Sequence, residues 1–138
     1  MTKPTPIDWI KFGKSDLTGA RVLEERKIYH LACFHEQQAV EKLLKAYLIY
    51  LGQTPPKTHT LAELVERIAA MDPAIEELRA GTIMLDAFYI PTRYPDALPG
   101  SLPEGLPTKE HAEEAIRTAQ EIVTRIEAQI SGQQGGRA

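Results

Sequence analysis

Apolar side chains recur at helical spacing along nearly the whole chain, and no stretch shows the strict alternation of a half-buried strand. Trp9, Ile10, Gly13, Leu17, Ala20 and Leu23 share one face of a first helix. It starts at Thr5, with Pro6 in its first turn and Asp8 three residues past the cap. Gly13 and Gly19 lower the helical propensity of this segment and leave room for a bend. A second helix spans residues 28–51, closed by Gly52 as a terminating glycine and barred from continuing by Pro55-Pro56. Thr60-Leu61-Ala62-Glu63 reads as a capping box opening a short third helix to about Ala70. Asp72-Pro73 opens a fourth, with Ile75, Leu78, Thr82, Leu85 and Tyr89 on one face, and Pro91 pushes Ile90 out of helical geometry. Residues 91–107 hold five prolines and two glycines, the composition of an ordered loop or extended arm. Thr108 then caps a last helix whose inner stripe is Ala112, Ala115, Ala119, Ile122, Ile126 and Ile130. Its outer side offers Glu113–Arg117 and Glu121–Arg125 as pairs four apart. The pattern predicts one all-α domain over residues 1–131, an antiparallel up-and-down bundle of four to five helices, with a disordered Gly/Gln-rich tail over 132–138.

Composition narrows this picture. A length of 138 residues suits one domain, and 43% hydrophobic with 25% charged residues is ordinary for a soluble globular protein. No apolar run reaches the ~20 residues of a membrane helix, and no apolar signal region follows the amino terminus, so a cytoplasmic location is expected. The net charge of −3 argues against broad, salt-driven nucleic-acid binding and leaves room for one local basic pocket. Cys33, the single cysteine, lies in an apolar helical stretch and reads as a small core residue.

Two polar constellations stand out from this frame. On a helical wheel, His35, Gln38, Lys42 and Lys45 fall within an arc of about 80°, opposite Ala39, Val40, Leu43, Leu44, Tyr47 and Leu51. This stripe is either the wet face of an amphipathic helix or the lining of a cleft that offers donors to an anion or a base. Glu36 projects into the apolar arc, so it must lie at an end of the core, pair with a cation or face a subunit interface. The second constellation is Pro91-Thr92-Arg93-Tyr94-Pro95-Asp96. Its prolines restrict the backbone on both sides of Arg93, Tyr94 and Asp96. Arg93 is suited either to a phosphate or to pinning the loop through a carboxylate, and Tyr94 to stacking on a base. His59, beside Thr60, reads as closing its loop, and His111 as an exposed residue of the last helix. General acid–base chemistry by His35 can be drawn, but the spacing does not demand it. No metal-ligand spacing, glycine-rich phosphate loop or nucleophile elbow occurs, so no metal and no cofactor is expected.

The segment Tyr29–Lys42, continued by Leu43-Leu44-Lys45-Ala46, closely resembles the second-helix signature of HEPN domains. Thr58-His59-Thr60-Leu61 resembles the motif that opens that family's next helix, and Tyr89–Asp96 the Arg-Tyr-Pro turn of one prokaryotic branch. The resemblance covers residues 8–130. It implies a helical bundle, usually a homodimer, encoded beside a minimal nucleotidyltransferase with which it forms a toxin–antitoxin-like pair. It also implies nucleotide binding, with His35, Gln38, Lys42, Lys45, Arg93, Tyr94 and Asp96 as the candidate contacts. Many family members are metal-independent ribonucleases that use an arginine followed four to six residues later by histidine. Here Arg93 is followed by Tyr94, Pro95, Asp96, Ala97, Leu98, Pro99 and Gly100, so that motif is absent.

Overall fold

The computed structural model describes residues 3–89 and 106–136. Five α-helices carry the fold: α1 (Pro6–Glu25), α2 (Tyr29–Tyr50), α3 (Leu61–Ala69), α4 (Arg79–Asp86) and α5 (Lys109–Gly136). A 3₁₀ segment, Pro73–Leu78, precedes α4. No strand occurs among the described residues.

The start of α1 forms as its sequence dictates. Thr5 accepts from the Asp8 amide at 3.3 Å, and Asp8 accepts from the Thr5 amide at 2.8 Å, which completes a capping box. The two glycines do not interrupt α1, which is continuous from Pro6 to Glu25. Gly13 serves close packing instead: a Cβ placed there would lie 2.4 Å from Leu43 Cδ2 and 3.1 Å from the Ala39 carbonyl. Between α1 and α2 the chain reverses through Lys27 at φ 63°, where the Ile28 amide donates to the Leu23 carbonyl at 2.8 Å. At the far end of α2, Gly52 at φ 87° makes the corresponding stop, as its sequence position predicts.

α2 is the central column. None of its residues is fully exposed, and Ala39, Val40, Leu43, Leu44, Ala46, Tyr47 and Leu48 are all buried. α1 and α5 pack along it, α5 contributing the expected Ala112, Ala115, Ala119, Ile122, Ile126 and Ile130 stripe. Lys14–Glu127 and Arg21–Gln120 contacts show that α5 runs antiparallel to α1. Tyr47 donates its hydroxyl to Asp72 at 2.6 Å and so ties α2 to the turn before the 3₁₀ segment. Burial, and then this hydrogen bond, pushes the Tyr47 hydroxyl up to about 12.

Four local expectations are corrected. Thr60 makes no side-chain cap on α3; the Asp86 carboxylate takes that place from the end of α4, accepting from the Leu61 and Ala62 amides at 2.8 and 3.1 Å. A long-range acid has displaced the local capping box. The single fourth helix is split, because the Asp72 side chain caps Ala74 and the first turns close as 3₁₀ before α4 begins. On α5, Arg125 reaches Glu77 at 2.7 Å rather than remaining a local partner for Glu121. α5 also runs on to Gly136, past the point where Gly/Gln-rich composition suggested an unstructured tail, since extending an existing helix needs only one residue fixed per added bond.

Candidate functional site

The polar stripe of α2 is neither a wet face nor an open row of donors. Each member is engaged with a neighbour. Asp16, on the facing side of α1, receives Lys42 Nζ in a short ion pair and His35 Nδ1 at 3.2 Å. Burial would push the Asp16 carboxyl up, but the hydrogen bonds from His35 and Lys42 outweigh it and hold the group below the ordinary carboxylate range.

One turn along, Glu41 is buried and gathers a second set. Lys45 Nζ lies 2.9 Å from its Oε2, His59 Nδ1 lies 3.2 Å from both oxygens, and Gln38 Nε2 lies 3.4 Å from Oε1. Lys45 is itself buried, with its ammonium 5.8 Å from the Trp9 ring centroid. Gln38 also donates to Gln37 Oε1 at 2.8 Å. Gln37 in turn donates to the His59 carbonyl at 2.8 Å and to Asp86 at 3.3 Å. The loop before α3, the start of α3 and the end of α4 are thereby tied to one turn of α2. A buried polar network with every member partnered is rigid, and truncating one member leaves the others unsatisfied.

The two clusters are joined by rings. Phe34 meets His35 edge-on at 5.4 Å and stacks on Tyr89 at 6.3 Å, and Tyr89 stacks on His59 at 5.0 Å with the rings 16° from parallel. The His59 side chain is 55% exposed, so the ladder ends at solvent with one ring nitrogen already committed to Glu41. In charge terms, the carboxylates of Asp16 and Glu41 meet the ammonium groups of Lys42 and Lys45 and the imidazoles of His35 and His59.

Of the seven residues singled out from the sequence, His35, Gln38, Lys42 and Lys45 do share one face and one continuous network. Arg93, Tyr94 and Asp96 lie outside the described residues. The sequence reading missed Glu41, Asp16, Gln37, Asp86, Tyr89 and the ring of His59. Glu41 had one usable signal, a carboxylate four residues before Lys45 on the same helix. The His59 contribution arises only from tertiary folding. His111 is partly rather than fully exposed, and its Nδ1 accepts from the Thr108 amide at 3.0 Å at the start of α5.

Glu36 has no cation paired with it among the described residues. It is fully buried and its two oxygens have no hydrogen-bond partner among the described residues. Burial, followed by the nearby Glu24 carboxyl, pushes it up to about 9, so it is a neutral acid at pH 7. Cys33 shares these surroundings and is pushed up to about 12, again first by burial, which makes it an inert core thiol. Among the described residues no group of three or more His, Cys, Asp or Glu is placed to hold a metal ion, and no helix is long and apolar enough to cross a membrane.

Comparison with known proteins gives this architecture a family. The crystal structure of an archaeal HEPN homologue is 32% identical, with TM-score 0.73, over 93% of this chain and 99% of that one. A protein from Thermus thermophilus is 33% identical, with TM-score 0.74, over 88% and 95% of the respective chains. A HEPN domain protein from Thermotoga maritima is 27% identical, with TM-score 0.70, over 89% and 97%. A search of curated proteins finds no match. The family model of the HEPN domain matches residues 7–129, and the chain belongs to the HEPN domain family.

Proposed function

We propose that this chain is a nucleotide- or phosphate-binding interaction module. It would act in the cytoplasm as a homodimer, partnered with a minimal nucleotidyltransferase in a toxin–antitoxin-like pair. The observation that carries the reading is the His59 ring: half-exposed, stacked on Tyr89 and oriented through Nδ1 by buried Glu41. Such a ring offers a π-face to a base, and in its imidazolium form the Nε2–H can donate to a phosphate oxygen. Arg93 and Tyr94 follow Tyr89 by four and five residues and are the natural second contributors, a planar fork and a further ring. Lys42 and Lys45, each paired with a carboxylate, then position the network. Titration of the full chain with labelled ATP and other nucleotides, with amide shifts followed at His59 and Tyr89, tests the ligand. The absence of binding at millimolar concentration removes it. Copurification with the product of a neighbouring nucleotidyltransferase gene tests the partner.

A second reading is favoured by one specific feature, the two histidines each braced by a carboxylate. As a metal-independent ribonuclease, one imidazole would take the proton of the attacking 2′-hydroxyl and the other would give a proton to the departing 5′-oxygen. Arg93 would stabilise charge on the phosphate between them. Cleavage of total RNA that survives EDTA and is lost in both Arg93→Ala and His59→Ala would establish it in place of the binding module.

A further inference from the structure

A cleft of about 490 Å³ opens between the start of α1, the C-terminal half of α2 and the Gly52–Lys57 loop. We infer that this cleft binds a small organic anion with a flat apolar body, of the aryl carboxylate class. Its walls are mostly apolar: Trp9 from α1, Ile49 from α2, and Pro55 and Pro56 from the loop. Every charged residue lining it is a lysine, Lys3, Lys45 or Lys57, and none is a carboxylate. In a chain of net charge −3 that segregation selects for an anion. An apolar cavity of this size with a few convergent charges is the usual form of a small-molecule site. Backbone restriction favours a preformed site, since Gly52 sits at φ 87° and two consecutive prolines follow.

Lys45 makes the site more than a greasy hollow. Its ammonium lies over the Trp9 ring at 5.8 Å and spends one donor on Glu41 at 2.9 Å. An ammonium has three donors, so a ligand carboxylate can take another without breaking that pair. The flat body would then lie along Trp9 and the prolines, with Lys57 adding charge from the loop. Apart from Lys45, which also pairs with Glu41 in the network, the residues used are different from those of the proposed nucleotide site. The two ideas therefore stand or fall separately.

Three matched probes test the inference on the full chain, followed by amide and indole N–H shifts: 2-naphthoate, its neutral amide, and 2-naphthylmethylammonium. The expected result is that naphthoate shifts Trp9, Ile49, Gly52 and Lys57. It should bind about tenfold more tightly than the amide, and the cation should not bind. Lys57→Glu, a change at an exposed loop position, should weaken naphthoate about fivefold and leave the amide unaffected. Equal binding of all three probes, shifts centred on exposed Ile7 and Phe12 instead, or indifference to Lys57→Glu would each overturn it.

Discussion

Two buried glutamates stand five residues apart on α2, and the helix treats them in opposite ways. Glu41 is surrounded by donors from its own helix and from the loop before α3, and ties the two together. Glu36 faces the dry interior, has no partner among the described residues and survives there by keeping its proton. The residue type is the same; what differs is whether tertiary neighbours bring compensating groups. A buried carboxylate is costly unless paired and hydrogen-bonded, and an unpaired one escapes the cost by neutralising. The contrast separates the proposed binding edge of the bundle, where polar groups are held in a complete network, from the scaffold, where one is merely tolerated.

The sharpest way to break the contrast is to remove Glu41. In Glu41→Ala, the buried Lys45 loses its counter-ion and the Gln38 and His59 contacts go with it. A loss of about 3–4 kcal/mol of stability is expected by denaturant titration. A loss below ~1 kcal/mol would mean that Lys45 escapes to solvent and the network is not cooperative.

Glu36→Gln should do the reverse. The unfolded chain releases the Glu36 proton near 4.5, whereas the folded chain holds it to about 9. Between those values the folded state binds more protons, so wild-type stability falls as pH rises and levels off above the upper one. At pH 7 the isosteric amide should therefore be more stable by about 2–3 kcal/mol, and this slope should vanish. Equal pH profiles for variant and wild type would show that Glu36 is ionised and paired.

A smaller effect tests how the two regions connect. Asp86 caps α3 and accepts from Gln37, so Asp86→Ala should cost about 1–2 kcal/mol and speed amide exchange at Leu61 and Ala62 first. Smallest is a scaffold control far from the site. Lys27 holds a left-handed backbone at φ 63°, and Lys27→Gly should gain about 0.5–1 kcal/mol in thermal unfolding with no change at the network.

The scaffold was legible because helix signals are local. The Thr5–Asp8 capping box, the Gly52 stop and the alanine–isoleucine stripe of α5 each depend on spacing within one segment, and each is present. The α3 cap was misread because Thr60 and Glu63 supply the local pattern while the actual acceptor, Asp86, comes from another helix. The stripe of His35, Gln38, Lys42 and Lys45 was found, since the helical period alone puts these residues on one face. Its chemistry was not, because pairing by Asp16 and His59 requires α1 and the loop before α3 to arrive. Glu36 was recognisable as misplaced, but its solution, holding the proton in a dry site, depends on the absence of neighbours, which no periodicity reports.

Calorimetric titration of ATP into wild type, His59→Ala and Glu36→Gln tests the proposed binding edge against the scaffold most directly. The expected outcome is measurable binding to wild type, a loss of about tenfold or more in His59→Ala through the missing ring stack, and affinity within about twofold of wild type in Glu36→Gln. No heat of binding in wild type, or equal affinity in all three proteins, would contradict a nucleotide site built on Glu41 and His59.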